Sequence, residues 1–243
     1  FAQAQTIITD RPTQAVSSTI ITKGSLQVET GMSVAFTPDG AKAGTKILAP
    51  TSLFRYGLSE YFEIRLLTQF ESRKAPLDLN RTSGMGDLQI GTKIRLSDKE
   101  DVPTKVAFHT QIGIPTGSRG ITSDIFRGYN NLSISHVLAD NVNLGYNMGF
   151  NYYTSKNGDL TYAIVLDVAV NDKVTFFVEP YGQYTRLLTY DASFDAGLTY
   201  LVKDNLKLDF SFGSGLNHKM NFLSAGFSWR AAKKSASKEE GLN

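Results

Sequence analysis

From Lys23 to Arg230 the chain repeats one pattern, with apolar residues at every second position in segment after segment. In the first of these, Leu26, Val28, Thr30, Met32, Val34 and Phe36 share a face, separated by Gln27, Glu29, Gly31, Ser33 and Ala35. A period of two belongs to a pleated strand whose two faces differ, and it excludes a helical fold. The pattern recurs near 46–58, 62–71, 88–96, 106–114, 128–138, 142–152, 160–170, 174–185, 194–202, 206–212 and 223–229. That makes about twelve strands of about ten residues, the length a tilted strand needs to cross a bilayer.

Parity alone does not separate a membrane barrel from a soluble sandwich, whose apolar faces meet each other while the charged faces meet water. The charge distribution favours the barrel. Charged residues make up 20% of the chain, yet every in-strand Asp, Glu, Lys and Arg lies on the face opposite the apolar one. That polar face is rich in Gly, Asn, Ser and Gln, as suits a confined lumen rather than a washed surface. Phe36, Tyr56, Phe62, Phe70, Tyr152, Tyr184, Tyr200 and Trp229 fall near strand ends, where an aromatic girdle would lie. Connectors alternate between short ones, at 59–60, 139–141, 171–173 and 203–205, and longer ones near 37–45, 73–84, 116–127, 154–159, 186–192 and 217–221. The segment 97–103 is a longer exception on the short side. No run of apolar residues is long enough for a transmembrane helix, which says nothing against a barrel. The expected fold is all-β: a transmembrane antiparallel up-and-down β-barrel of about twelve strands, with both termini periplasmic because the count is even.

The ends read differently. Ala2 and Ala4 form a small-x-small pattern like the cleavage end of a secretory signal peptide. Residues 1–23 are therefore expected to be a signal-peptide remnant and periplasmic leader, 24–230 the barrel, and 231–243 a flexible periplasmic tail of small and charged residues. Two readings of the leader stand level: a disordered lead-in, or a segment that folds Asp10 and Arg11 into the barrel mouth and narrows it.

Several motifs carry a family resemblance. Thr9-Asp10-Arg11-Pro12, Lys23 to Gly31, Gly86 to Lys93, Gln111 to Gly117, Phe177 to Gly182 and Asp195 to Tyr200, in that order and spacing, resemble the outer-membrane transporter family named for the meta-pathway of phenol degradation. The likeness spans roughly residues 9 to 230. It implies an outer-membrane barrel in a Gram-negative envelope that acts as a channel for small, often apolar or aromatic molecules. The final Phe227-Ser228-Trp229 also resembles the aromatic signal of barrel insertion, although a tail follows it here.

By parity the lumen-lining set is Glu29, Arg55, Glu63, Arg65, Glu71, Asp87, Lys93, Arg95, His109, Asp167, Glu179, Tyr181, Asp195, Lys207 and Asp209. The lipid-facing set is Leu26, Val28, Ile64, Leu66, Ile90, Ile112, Leu144, Ile164, Leu166, Leu198, Leu208 and Phe210. The inward charges are balanced in sign. They either pair across the lumen and brace the wall, or line a permeation path and select cargo. Tyr153, Phe177 and Tyr181 are inward aromatics that could stack an aromatic solute or simply fill volume. Ala163 faces a lumen whose wetness decides how well it tolerates a charge.

Composition limits the chemistry. The chain has no cysteine, so it has no disulfide, thiol nucleophile or Cys-bound zinc. With a net charge of +2 it offers no nucleic-acid surface. Its three histidines, His109, His136 and His218, have no metal spacing, and Ser135 points away from the face that carries His136, so no hydrolase pair forms. The expectation is no enzyme, no metal and no cofactor, with outer-membrane lipid and a small solute as partners. The rival reading is a plugged barrel serving as a structural subunit among other envelope proteins. Water through the whole lumen would favour the channel, and salt-bridged closure at mid-barrel the subunit. A soluble lipid-binding β protein is a third, weaker reading.

Overall fold

The computed structural model of the chain describes residues 6–38, 44–74, 80–98, 102–153 and 158–231. The tail beyond 231 and the first five residues lie outside the described residues. Thirteen strand segments follow one another: β1 (Leu26–Thr37), β2 (Gly44–Gly57), β3 (Phe62–Lys74), β4 (Thr82–Met85), β5 (Leu88–Asp98), β6 (Thr104–Ile114), β7 (Arg127–Ala139), β8 (Val142–Tyr153), β9 (Gly158–Ala169), β10 (Val174–Thr185), β11 (Thr189–Lys203), β12 (Leu206–Gly215) and β13 (Asn221–Arg230). Apart from β4, which pairs with β3 alone, and β5, which pairs with β3 and β6, each pairs antiparallel with its sequence neighbours, and β1 pairs with β13 from Gln27↔Arg230 to Phe36↔Asn221, which closes the ring. Closure leaves no long open edge, the condition for a sheet to stand in hydrocarbon.

β4 is an added piece. β3 pairs with β5 through Phe62–Leu67 and with β4 through Phe70–Arg73, so the two lie in one line broken at Gly86 and Asp87. The architecture is therefore a closed twelve-stranded barrel with one extra short strand.

Alternation sorts the wall. Leu26, Ile64, Ile90, Ile112, Ile164, Leu208 and Phe210 are exposed on the outer surface, and Val28, Leu66, Leu144, Leu166 and Leu198 are half-exposed on the same side. An apolar belt of that extent is stable only against lipid. Arg55, Glu63, Lys93, Glu179 and Asp195 sit on the other side with no exposed surface at all.

Two local features depart from the simple alternation. Strict alternation over 46–58 puts Leu48 on the same face as Phe54 and Tyr56. A bulge at Ala49-Pro50 shifts the register between Leu48 and Thr51, and Leu48 turns inward opposite Ser33 and Glu71. Proline has no N–H to give a ladder, so strands accommodate it at such bulges. The long loop expected at 186–192 is a three-residue turn, Arg186 to Leu188, with Arg186 and Leu187 at φ of 54° and 57°. Tyr184 and Tyr190 stack across the hairpin, with ring centroids 4.6 Å apart, and carry the pairing outward.

Residues 6–25 form no strand and enter the barrel from the end with the short turns. Ile7 N donates to Asp204 O at 2.8 Å at that rim. The chain then runs inward, bends at Pro12–Ala15, and returns to Leu26 through a turn at Gly24, whose φ of 74° suits glycine.

Candidate functional site

The site is the lumen together with this inserted segment, which is a plug. The plug is fastened first at Asp10. Its carboxylate accepts from Arg65 Nη2 at 2.6 Å and from Lys93 Nζ at 3.1 Å, and lies 3.7 Å from Arg55 Nη1. These cations come from β2, β3 and β5, and each is also held by the wall or by plug carbonyls. Arg55 donates to Glu29 at 2.7 Å and to both oxygens of Glu63 at 2.8 and 2.9 Å. Arg65 reaches Glu63 at 2.7 Å, and Lys93 donates to Ser17 O at 2.8 Å. The wall carboxylates in turn grip the plug backbone. Glu29 accepts from the amides of Asp10 and Arg11, and Glu63 from the amide of Ile21. Three cations and three carboxylates thus close one side of the barrel in a buried, charge-matched network that leaves Arg65 Nε without a partner.

The far side is fastened differently. Glu179 on β10 accepts from the amides of Gln14 and Ala15, both at 2.7 Å. Asn147 on β8 accepts from Val16 N at 2.5 Å and donates to Val16 O at 3.1 Å. Gln14 Nε2 donates to Asp195 at 3.2 Å, and Arg11 donates to both oxygens of Asp209. Ala15 packs against Ala163, Val165 and Phe177, so the lumen is dry beside Ala163, and Phe177 fills volume there.

Cavities lie on both sides of the plug. Toward the long loops are spaces of about 840 and 880 Å³, both bordered by Gln14, Tyr181 and Met220. Toward the short turns is one of about 370 Å³, bordered by Val16, Phe177, Asp167 and Lys207. Asn147 borders the first and the last, and Thr13–Val16 stand between them.

The remaining residues of the parity set lie apart from the plug. Glu71 is buried and paired with Lys46 and Arg73 near the long-loop end. Asp87 occupies the break between β4 and β5, where its carboxylate accepts from Gly117 N, Thr122 Oγ1, Ser123 N and Ser123 Oγ and ties down the loop 115–126. Burial pushes its carboxyl up, but these hydrogen bonds outweigh that and hold it below the ordinary aspartate value. Arg95 reaches Asp98 at 3.6 Å, and His109 is buried against Gln111 at 2.6 Å. Tyr153 donates to Asp159 at 2.8 Å under the Arg127 guanidinium. On the outer face His136 stacks on Tyr146 and contacts Thr104 Oγ1 at 2.7 Å. Gln14, Ser18, Gln27 and Asn147 all secure the plug, and being uncharged they carried no signal in the sequence beyond inward parity on the strands.

The family model described as "Putative MetA-pathway of phenol degradation" matches residues 9–231. The chain belongs to that family. Among solved structures, this member is similar to an outer-membrane channel from Pseudomonas putida F1, with a TM-score of 0.67, 11% identity, and 88% of this chain and 97% of that one covered. It is also similar to the KdgM porin (TM-score 0.56, 13% identity, 83% and 98% covered) and to the CymD monoaromatic hydrocarbon channel (TM-score 0.51, 8% identity, 87% and 89% covered). No curated protein matches the sequence. The fold is thus that of outer-membrane channels, and in this family member the lumen holds the chain's own N-terminal segment.

Proposed function

We propose that the protein is a passive outer-membrane channel for small apolar or aromatic molecules, held closed by residues 6–22, with both termini on the periplasmic side. One observation carries this reading. The lumen is not filled by wall side chains; it holds open spaces above and below a single layer of plug. Tyr181 and Met220 give the upper spaces an aromatic and an apolar surface among amides and hydroxyls, which suits a small ring-bearing solute. Family membership, and the monoaromatic hydrocarbon channel among the fold relatives, support the same solute class. The lumen-lining residues then divide into those that brace the plug and those that border a path.

The salt-bridged closure around Asp10 favours a second reading, a permanently plugged barrel that serves as a subunit of a larger envelope assembly. Single-channel recording of the purified full-length protein in planar bilayers separates the two. Step openings, together with uptake of a small aromatic solute into liposomes, support the channel. Absence of both leaves the subunit reading.

A further inference from the structure

The plug neutralises one half of the lumen and leaves the other half acidic. From this we infer that the open path runs along the acidic half, between Thr13–Val16 and strands β8 to β11, and that Glu179 and Asp195 make it favour cations and uncharged molecules over anions. The inference rests on the channel reading above.

Two contrasts locate the path. At Asp10 the plug is held by ion pairs buried on both sides, which are costly to separate because they leave unpaired charge in a dry site. At Gln14, Ala15 and Val16 no ion pair holds it: the tip is kept by hydrogen bonds with Glu179, Asp195 and Asn147, which water can replace as the tip lifts, and by the small contact of Ala15 with Ala163, Val165 and Phe177. The weak end of the plug also stands between the upper cavity and the lower one, both of which are bordered by Asn147. Release of the tip alone, with Asp10 still docked, would join the two.

Charge then sets what passes. On the Asp10 side, Arg55, Arg65 and Lys93 are matched by Asp10, Glu29 and Glu63. On the other side, Arg11 is committed to Asp209. Glu179 and Asp195 sit directly opposite each other on paired strands, both fully buried, and Asp195 Oδ1 has no hydrogen-bond partner. The other ionisable groups on this side are Tyr153 on β8, Asp159 and Asp167 on β9, Tyr181 on β10, Asp191 on β11, Lys207 with Asp209 on β12, and His218 and Lys219 in the loop bordering the upper cavity, so carboxyl groups still outnumber cations here. The plug amides account for Glu179, but like charges opposite each other destabilise a sheet, so the fold alone gives no reason for placing a second acid, Asp195, across from it. Bordering a wetted path, the same two carboxylates act as a cation-selecting element, as acidic rings do in channels.

The test is reversal potential under a KCl gradient, recorded for the full-length wild type, Asn147→Ala and the double variant Glu179→Gln with Asp195→Asn, each first shown to be a folded barrel by its heat-modifiable gel migration. Asn147→Ala removes two bonds to the tip without changing charge. It is expected to raise open probability about tenfold, the scale of one hydrogen-bonded contact, with a K⁺ preference equal to that of wild type. The double variant keeps acceptors for the plug amides and is expected to lose most of that preference. Openings that favour Cl⁻ or neither ion, an unchanged open probability in Asn147→Ala, or a double variant as K⁺-selective as wild type would each overturn the inference while leaving the channel reading intact. No openings in any variant would overturn the channel reading and this one with it.

Discussion

Replacing Asp10 with alanine should undock the plug and spare the barrel. The substitution removes the carboxylate that Arg65 meets at 2.6 Å and Lys93 at 3.1 Å, and also the acceptor for Ser17 N at 3.0 Å. Arg55 keeps Glu29 and Glu63, Arg65 keeps Glu63, and Lys93 keeps the carbonyls of Ser17 and Thr19. One positive charge is thereby left uncompensated in a dry site. Breaking a buried pair from one side typically costs about 3–5 kcal/mol. At about 1.4 kcal/mol per tenfold, the docking equilibrium should shift on the order of a hundred- to several-thousandfold. Hydrogen exchange by mass spectrometry reads this directly. The amides of Arg11 and Ile21, held beside Asp10 by Glu29 and Glu63, should lose protection by that factor, while ladder amides in β1 to β13 keep theirs, because strand pairing does not pass through the plug. Ser18→Ala, which loses only the 2.6 Å contact with Ser135, should shift the same amides by about 1 kcal/mol. Unchanged plug protection in Asp10→Ala would refute the electrostatic account, and equal loss in plug and barrel would refute the plug as a separate unit.

Three further outcomes follow from the same coordinates. Ile164→Arg, on the outer face of β9, should lower stability in lipid vesicles by about 2–4 kcal/mol in urea titration, whereas Thr161→Arg, which borders the upper cavity, should cost about 1 kcal/mol or less. Equal costs at the two sites would contradict the assignment of faces. Gly226→Ala would place a methyl group against the Arg11 guanidinium, which lies on the bare surface of the paired Gly31 and Gly226. Overpacking of about 1–3 kcal/mol should weaken Arg11 on Asp209, seen as faster exchange of the Arg11 amide, and no change there would show that the contact is dispensable. Asp87→Ala removes four hydrogen bonds from the loop 115–126 and should free it by about 2 kcal/mol, so trypsin should cut after Arg119 several-fold to tens of times faster without loss of the barrel band. An unaltered cutting rate would mean that the loop is ordered by other contacts.

The barrel was legible in the sequence because its determinants are local. A strand with one face in lipid and one inside must alternate, and a charge on the wrong face is severe enough to be excluded throughout, so Ile64, Ile112 and Ile164 could be placed by parity alone. Where a local irregularity resets the count, parity misleads: the Ala49-Pro50 bulge turns Leu48 inward, and the stacked Tyr184 and Tyr190 extend a hairpin that composition suggested was a loop. The plug was legible only as an open alternative. Residues 6–25 have no period, and their partners lie on strands at both ends of the chain, from Glu29 to Ser224. Half of what fixes the segment is backbone amide, which every residue carries and no sequence pattern records.

That distribution of contacts bears on why the inward charges exist in such number. A twelve-stranded barrel is wider than the eight-stranded barrel whose own side chains fill it and narrower than the sixteen-stranded porin with its aqueous channel. An inserted segment solves the filling problem but brings unpaired amides and carbonyls into a space with little water, and each must find a partner. Glu29, Glu63 and Glu179 accept from the amides of residues 10, 11, 14, 15 and 21, while Arg55, Lys93 and Gln27 donate to plug carbonyls. Most of the lumen charge is therefore spoken for by an irregular backbone. Asp195 accepts from the Gln14 side chain at 3.2 Å, meets Glu179 across the strand pair and takes no plug backbone amide, so satisfying that backbone does not require it. A residue that the packing does not need is where a role in permeation is to be sought, which is why the selectivity variant is built on Asp195 and its cross-strand neighbour Glu179 rather than on the larger cluster around Asp10.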